Sequence, residues 1–168
     1  MDNRIQEAPL SMDALIAASA RADCGALAVF AGTVRNHHEN KPVLSLSYTA
    51  HVPLAEKMIR EIEQRICSEH GVPYCRVVHR LGSLQVGDSA IVAVVRAPHR
   101  AEAFAALRAA VDATKHTVPI WKEEFYLDGT SAFVTGCCIG DALPLDGTPA
   151  EPAQRHAHGH DHHDHSHH

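Results

Sequence analysis

Nine consecutive residues, SAIVAVVRA (89–97), constrain the fold of this chain more than any other feature. The run is strongly apolar, rich in β-branched residues and closed by Pro98, so it reads as a strand, and such a strand needs neighbours in a sheet and a layer to cover it. At Pro98 the period of the sequence changes. From His99 to about Lys115, Phe104, Leu107 and Val111 lie at i, i+3 and i+7, the stripe of a helix packed on a sheet, and Pro119 stops its continuation.

The remaining segments fit the same scheme. Ser11 caps a short helix, MDALIAASAR, with Met12, Leu15 and Ile16 on one face. GALAVFAG reads as a strand buried on both faces and ended by Gly32, followed by a polar loop, RNHHENKP. LSLSYTAH alternates and reads as the antiparallel partner of that strand. Pro53 opens a helix running to about His70, with Leu54, Met58, Ile62 and Ile66 at steps of four and Gly71 as its stop. YCRVVHR is a strand, LGSLQVGD carries two glycine turn signals, and IWKEEFYLDG leads through Asp128 and Gly129 to a last strand, SAFVTGCCI. Strands and helices mix without regular alternation, which predicts an α+β fold, a mixed and mainly antiparallel sheet with helices packed on it, rather than a doubly wound parallel sheet. Beyond about Gly140 the apolar period ends, so the chain divides into a domain over 1–140 and a disordered tail over 141–168.

Composition narrows the function. The 168 residues carry a net charge of -5, which argues against a protein that grips nucleic-acid backbone. No apolar run approaches the length of a membrane span, and the N-terminus lacks the pattern of a secretory signal. Five scattered cysteines without a CxxC pair predict reduced thiols and a cytoplasmic protein. Between Arg76 and Lys122, however, seven cations face three acids, a local excess of +4 that suits a small anion.

Lys115 lies eleven residues past Phe104, and eleven steps of 100° return to within about 20° of the same direction, so it continues the apolar stripe. A cation there either snorkels to water or works in a pocket. Lys122, beyond the Pro119 turn, folds back toward Lys115, and two adjacent lysines suit a phosphate or a developing oxyanion. His99 and Arg100 open the same helix at the end where the macrodipole disfavours cations, which makes sense for a bound anion. Arg35 follows the first strand at the mouth of a loop, and Trp121 is either a core aromatic or the wall of a pocket for a flat ring. No nucleotide-binding glycine loop and no nucleophile elbow occurs. His37, His38 and His79 lack metal-ligand spacing and read as surface or core residues.

FAGTVRNHH, VHRLGSLQVGDSAIVAVVRAPHRAEAF and KHTVPIWKEE, in that order and over roughly residues 24–136, resemble the large, catalytic subunits of molybdopterin synthases. The resemblance implies a hammerhead-like fold and a sulfur transfer that converts cyclic pyranopterin monophosphate into molybdopterin in molybdenum cofactor biosynthesis. It implies a small ubiquitin-like partner with a C-terminal thiocarboxylate, a second copy of the chain at the centre of a heterotetramer, and no cofactor required for catalysis. By motif, Lys115 and Lys122 match the catalytic lysines. His99 and Arg100 match a substrate-contacting pair, Arg35 matches the arginine after the first strand, and Thr33, Val34, Glu123 and Glu124 flank the matched positions as candidate lining. The chain departs from the family in its last strand, where Phe133 and then Gly136, Cys137 and Cys138 stand in place of a tryptophan and a basic residue.

The tail is a separate object. Eight of the 15 histidines, His156, His158, His160, His162, His163, His165, His167 and His168, fall in the last 13 residues and suit zinc, nickel or copper. Two other functions compete with sulfur transfer: metal buffering through this tail, and a non-catalytic anion-binding module that recruits a ubiquitin-like partner.

Overall fold

The computed structural model describes residues 3–134; expectations for residues 135–168, including the histidine tail, its boundary near 140, and Gly136, Cys137 and Cys138, lie outside the described residues. The elements run β1 (Ile5–Gln6), α1 (Met12–Ala18), β2 (Ala26–Thr33), β3 (His37–His38), β4 (Lys41–Ala50), α2 (Val52–His70), β5 (Tyr74–Arg80) and β6 (Gly82–Gln85). They continue with β7 (Ser89–Ala97), α3 (Arg100–Thr117), β8 (Ile120–Tyr126) and β9 (Ser131–Val134). One sheet has the order β1-β5-β7-β2, the other β3-β4-β8-β9 with β6 also paired to β4. Every pairing is antiparallel except β1 with β5. The α+β expectation therefore holds, with the strands divided between two sheets.

β7 sits inside the first sheet, and Ala90 to Val95 are all buried. Its Ile91, Ala93, Val95 and Ala97 join the main core with Ile59, Ile62 and Ile66 of α2 and Ala103, Ala106 and Ala110 of α3. The strand buried on both faces is thus β7. β2 lies at the sheet edge, where Leu27 is 41% exposed, because only β7 pairs with it.

The expected antiparallel partner of β2 is also different. β4 pairs with β6 and β8 in the second sheet, while β2 pairs with β7. The polar segment between them is not merely a loop: Glu39 and Asn40 both take positive φ (46° and 65°) and close a two-residue hairpin in which His38 faces Lys41. That hairpin carries β4 away from β2.

α2 and α3 follow their punctuation. Pro53 stands in the first turn of α2, and Gly71 caps its end in the left-handed conformation at φ 63°. The buried faces keep part of the expected stripes, Ile62 and Ile66 on α2 and Val111 on α3, and take neighbouring positions for the rest. On α2 the packed residues are Ala55, Ile59, Ile62 and Ile66, and Leu54 is exposed. On α3 they are Ala103, Ala106, Ala110, Val111 and Thr114, and Phe104 is 66% exposed. Alanines let α3 approach the sheet closely, so the large residue stays outside. α1 keeps its Ser11 cap, but none of its residues is fully buried.

Arg4 and Glu63 form a buried ion pair that ties the N-terminus to α2. Arg4 Nη2 is 2.7 Å from Glu63 Oε2, Arg4 Nε donates to both carboxylate oxygens, and the Val77 amide donates to Oε1. Removing one partner of a buried pair strands the other. Glu63→Ala is expected to lower the unfolding free energy by about 3–5 kcal/mol in urea denaturation; a loss below about 1 kcal/mol would mean that Arg4 and the Val77 amide find water instead.

Candidate active site

Where the two sheets meet beside the C-terminal end of α3, they leave a cavity of about 310 Å³ lined by Thr33, Val34, Arg35, Lys115, Lys122 and Glu124, among others. Its first wall comes from a bulge. The register of β2 on β7 shifts between Gly32 and Thr33, and a Cβ on Gly32 would meet Ile91 Cγ2 at 2.7 Å, so glycine allows the close approach there. Past the bulge the Val34 amide donates to the Asp88 carbonyl at 3.0 Å, which holds Thr33 to Arg35 at the cavity.

Lys115 reaches the cavity by a different route from the one its spacing implies. It does share the direction of Phe104, but that direction faces outward on α3; near the helix end the same edge overhangs the cavity. Its Nζ lies 5.4 Å from the centroid of the Phe30 ring, a cation–π contact. Among the described residues no carboxylate lies within ion-pair distance of it.

Lys122, by contrast, is neutralised. Its Nζ is 3.1 Å from Glu124 Oε1, and the two side chains are 14% and 4% exposed. The other oxygen of Glu124 accepts from His38 Nδ1 at 2.6 Å and from the Tyr126 hydroxyl at 2.9 Å. Burial pushes the Glu124 pKa up, but the hydrogen bonds from His38, Tyr126 and Lys122, with the Lys122 charge, outweigh it and hold the carboxyl below its ordinary range. Burial, followed by contact with this carboxylate, raises the Tyr126 pKa. Lys122, Glu124 and Tyr126 alternate along β8 and so share its inner face.

The same alternation sends Trp121 and Glu123 outward. Trp121 is 53% exposed, and Glu123 accepts from Ser131 Oγ of β9 at 2.9 Å; neither lines the cavity. Phe133, opposite Glu123, is on that outer face and 74% exposed. His99 and Arg100 are also elsewhere. They line a separate, shallow depression with Gly25, Ala26, Leu27 and Pro98 at the start of α3, and eighteen helical residues at 1.5 Å each put about 27 Å between the two ends.

Three cavity residues had no signal in the sequence as contributors. His37 and Tyr48 line it from β3 and β4, and His79 from β5. Only the pairing of β4 with β8 and of β5 with β7 brings them there, and no local pattern encodes it. Among the described residues no group of three or more His, Cys, Asp or Glu side chains is placed to hold a metal ion. Nor is any helix there long and apolar enough to cross a membrane. Chemically, the cavity offers one compensated and one uncompensated ammonium within reach of a small, flat, anionic ligand.

Residues 5–117 match the family model described as "MoaE protein". A "Molybdopterin synthase catalytic subunit" from Nostoc sp. is 42% identical over 133 residues, covering 78% of this chain and 81% of that one. Among solved structures, molybdopterin synthase from Staphylococcus aureus is similar with a TM-score of 0.75 and 31% identity, over 80% of this chain and 97% of that one. The "Protein-protein complex of subunit 1 and 2 of Molybdopterin-converting factor" from Helicobacter pylori has a TM-score of 0.65 over 88% of this chain and 98% of the matched one. At 22% identity it shares the fold alone.

Because the Glu124 pKa is depressed on folding, its contribution is fully present above the ordinary value of 4.5 and is lost as the pH falls through the lower folded value. At pH 7 Glu124→Gln is expected to be about 1–3 kcal/mol less stable than the parent. In urea denaturation at a series of pH values the gap should close progressively below 4.5; a gap of constant size down to acid pH would contradict the network.

Proposed function

The chain belongs to the MoaE protein family, and on that premise we propose that it is the catalytic subunit of a molybdopterin synthase, a sulfurtransferase acting on cyclic pyranopterin monophosphate. The observation that supports this most is the cavity that gathers Arg35, Lys115 and Lys122 from three separate elements. The proposed sulfur donor is the C-terminal thiocarboxylate of a small ubiquitin-like partner, and the proposed assembly is a heterotetramer around two copies of this chain.

The chemistry asks little of the protein by way of a nucleophile. Thiocarboxylate sulfur attacks an oxygen-bearing carbon of the substrate, forming a carbon–sulfur bond and a thioester to the partner, while the carbon–oxygen bond at that carbon breaks and its oxygen leaves protonated as water or with the phosphate. Water then cleaves that thioester, which returns the partner as a carboxylate and leaves sulfur on the substrate. Two such rounds supply the two sulfurs of the dithiolene. Lys115, with no carboxylate beside it among the described residues, is the group to hold the anionic tail and stabilise charge at the attacked carbon. Lys122 is oriented by Glu124 and suits a fixed ammonium that donates to an oxyanion or leaving oxygen. Arg35 is suited to the phosphate.

His99 and Arg100 cannot serve the same substrate within one chain, given the length of α3. In the proposed dimer they would contribute to a substrate bound by the other copy. Glu123, outside the cavity, is left with no part in the chemistry.

Reconstitution with thiocarboxylated partner and cyclic pyranopterin monophosphate tests the reading: molybdopterin should form, whereas binding without product would leave only an anion-binding module. Lys115→Ala should lower the rate by about 10²-fold or more with the partner still bound; near-parental turnover would remove Lys115 from the mechanism. Metal uptake by the tail histidines is a separate proposal. Calorimetry with Zn²⁺, Ni²⁺ or Cu²⁺ should find more binding by the full chain than by one ending at Gly140, and equal uptake would dismiss the tail.

A further inference from the structure

Three titratable side chains line the cavity without a part in the steps above, His37, Tyr48 and His79, and of these only His79 is buried. His79, near the end of β5, is 8% exposed and stands in the same lining as Lys115, Lys122 and Arg35. Its Nδ1 lies 2.8 Å from the carbonyl oxygen of Arg80. A carbonyl can only accept, so Nδ1 carries the proton and Nε2 presents a lone pair. The Tyr48 ring meets the imidazole edge-on, with centroids 4.8 Å apart and planes at 74°, which fixes the plane of the ring as the Arg80 bond fixes its tautomer.

Burial lowers the His79 pKa to about 4, against the opposing effect of the Arg80 carbonyl, and the Lys115 charge adds to the drop. The imidazole is therefore neutral at pH 7 and does not add a further positive charge beside Lys115, Lys122 and Arg35. The charged groups around it have a complementary bias. Lys115, Lys122 and Arg35 are donors only, and the Glu124 carboxylate is already engaged by His38, Tyr126 and Lys122. A heterocycle held there by its anionic groups has ring N–H and O–H donors as well, and those need an acceptor.

We propose that His79 is a substrate-recognition residue, its Nε2 accepting a hydrogen bond from a ring N–H or O–H of the pterin bound between Lys115 and Lys122. The proposal rests on the function assigned above and deepens it. An uncharged acceptor suits this position better than a carboxylate, which would pair with Lys115 and cancel its charge. A buried acceptor also discriminates: a ligand without a donor there leaves Nε2 unpaired, which selects for the correct heterocycle.

Two substitutions separate recognition from packing. In His79→Asn the side-chain nitrogen reaches the position of Nδ1 and keeps the bond to Arg80, but nothing occupies the position of Nε2. In His79→Gln the side-chain oxygen reaches the position of Nε2 and restores the acceptor. With the full chain, thiocarboxylated partner and cyclic pyranopterin monophosphate, His79→Asn is expected to raise KM by about ten-fold or more while kcat changes less. His79→Gln should return KM to within about three-fold of the parent. Thermal unfolding of both variants should stay near that of the parent. An unchanged KM in His79→Asn, or equal loss in both variants, would overturn the assignment while parental turnover leaves the broader function standing. Absence of product with the parental chain would remove that function and this role together.

Discussion

The double burial of β7 is the constraint on which the rest of the structure depends. A strand with Ala90 to Val95 all out of water must be covered on both faces and paired along both edges. α2 and α3 cover one face, and β5 and β2 pair the edges. Each buried Val or Ile contributes about 1.5–3 kcal/mol by removal from water, so no other strand repays displacement of β7. The cavity follows from the end of this strand. Ala90 belongs to the smaller core beneath the second sheet and Ile91 to the main one, and both line the cavity where the two cores part.

That position explains how one small site holds two lysines in different electrostatic states. Lys122 lies on the inner face of β8, enclosed by protein, where an ammonium without a partner would be costly; Glu124, two residues on and therefore on the same face, supplies the partner. His38 and Tyr126 then satisfy the remaining oxygen of Glu124. Lys115 sits at a helix end with its Nζ over the Phe30 ring at the cavity, and among the described residues no carboxylate pairs with it. One cation is fixed by the fold, and the other is left for a ligand to neutralise.

What the sequence made legible was whatever is encoded locally. YCRVVHR and SAIVAVVRA coincide with β5 and β7, and Pro53 and Gly71 mark α2. Lys115 and Lys122 do meet in one cavity. Long-range pairing was not legible. LSLSYTAH has the alternation of a strand whichever neighbour it takes, and nothing in its residues distinguishes β2 from β6 and β8. LGSLQVGD was read for its glycines, yet Gly82–Gln85 forms β6, and Leu84 is fully buried. Helix faces were legible only in part for another reason: a periodic stripe weights large apolar residues, which holds for Ile62, Ile66 and Val111, whereas α3 packs mainly by alanines and leaves Phe104 outside. The Arg4–Glu63 pair and the His38–Glu124 contact join residues 59 and 86 positions apart, a separation that no local pattern records.

The separation of His99 and Arg100 from the lysines follows from α3 itself. α3 brings Lys115 to the cavity near its C-terminal end and holds His99 and Arg100 at its start, and a continuous helix of 18 residues keeps those ends apart. Shared helix membership, which in the sequence looks like proximity, is in three dimensions a guarantee of distance. Arg35, Lys115 and Lys122 thus lie on one surface of each chain and His99 and Arg100 on another, and the dimer proposed above is the arrangement in which two such surfaces would face each other.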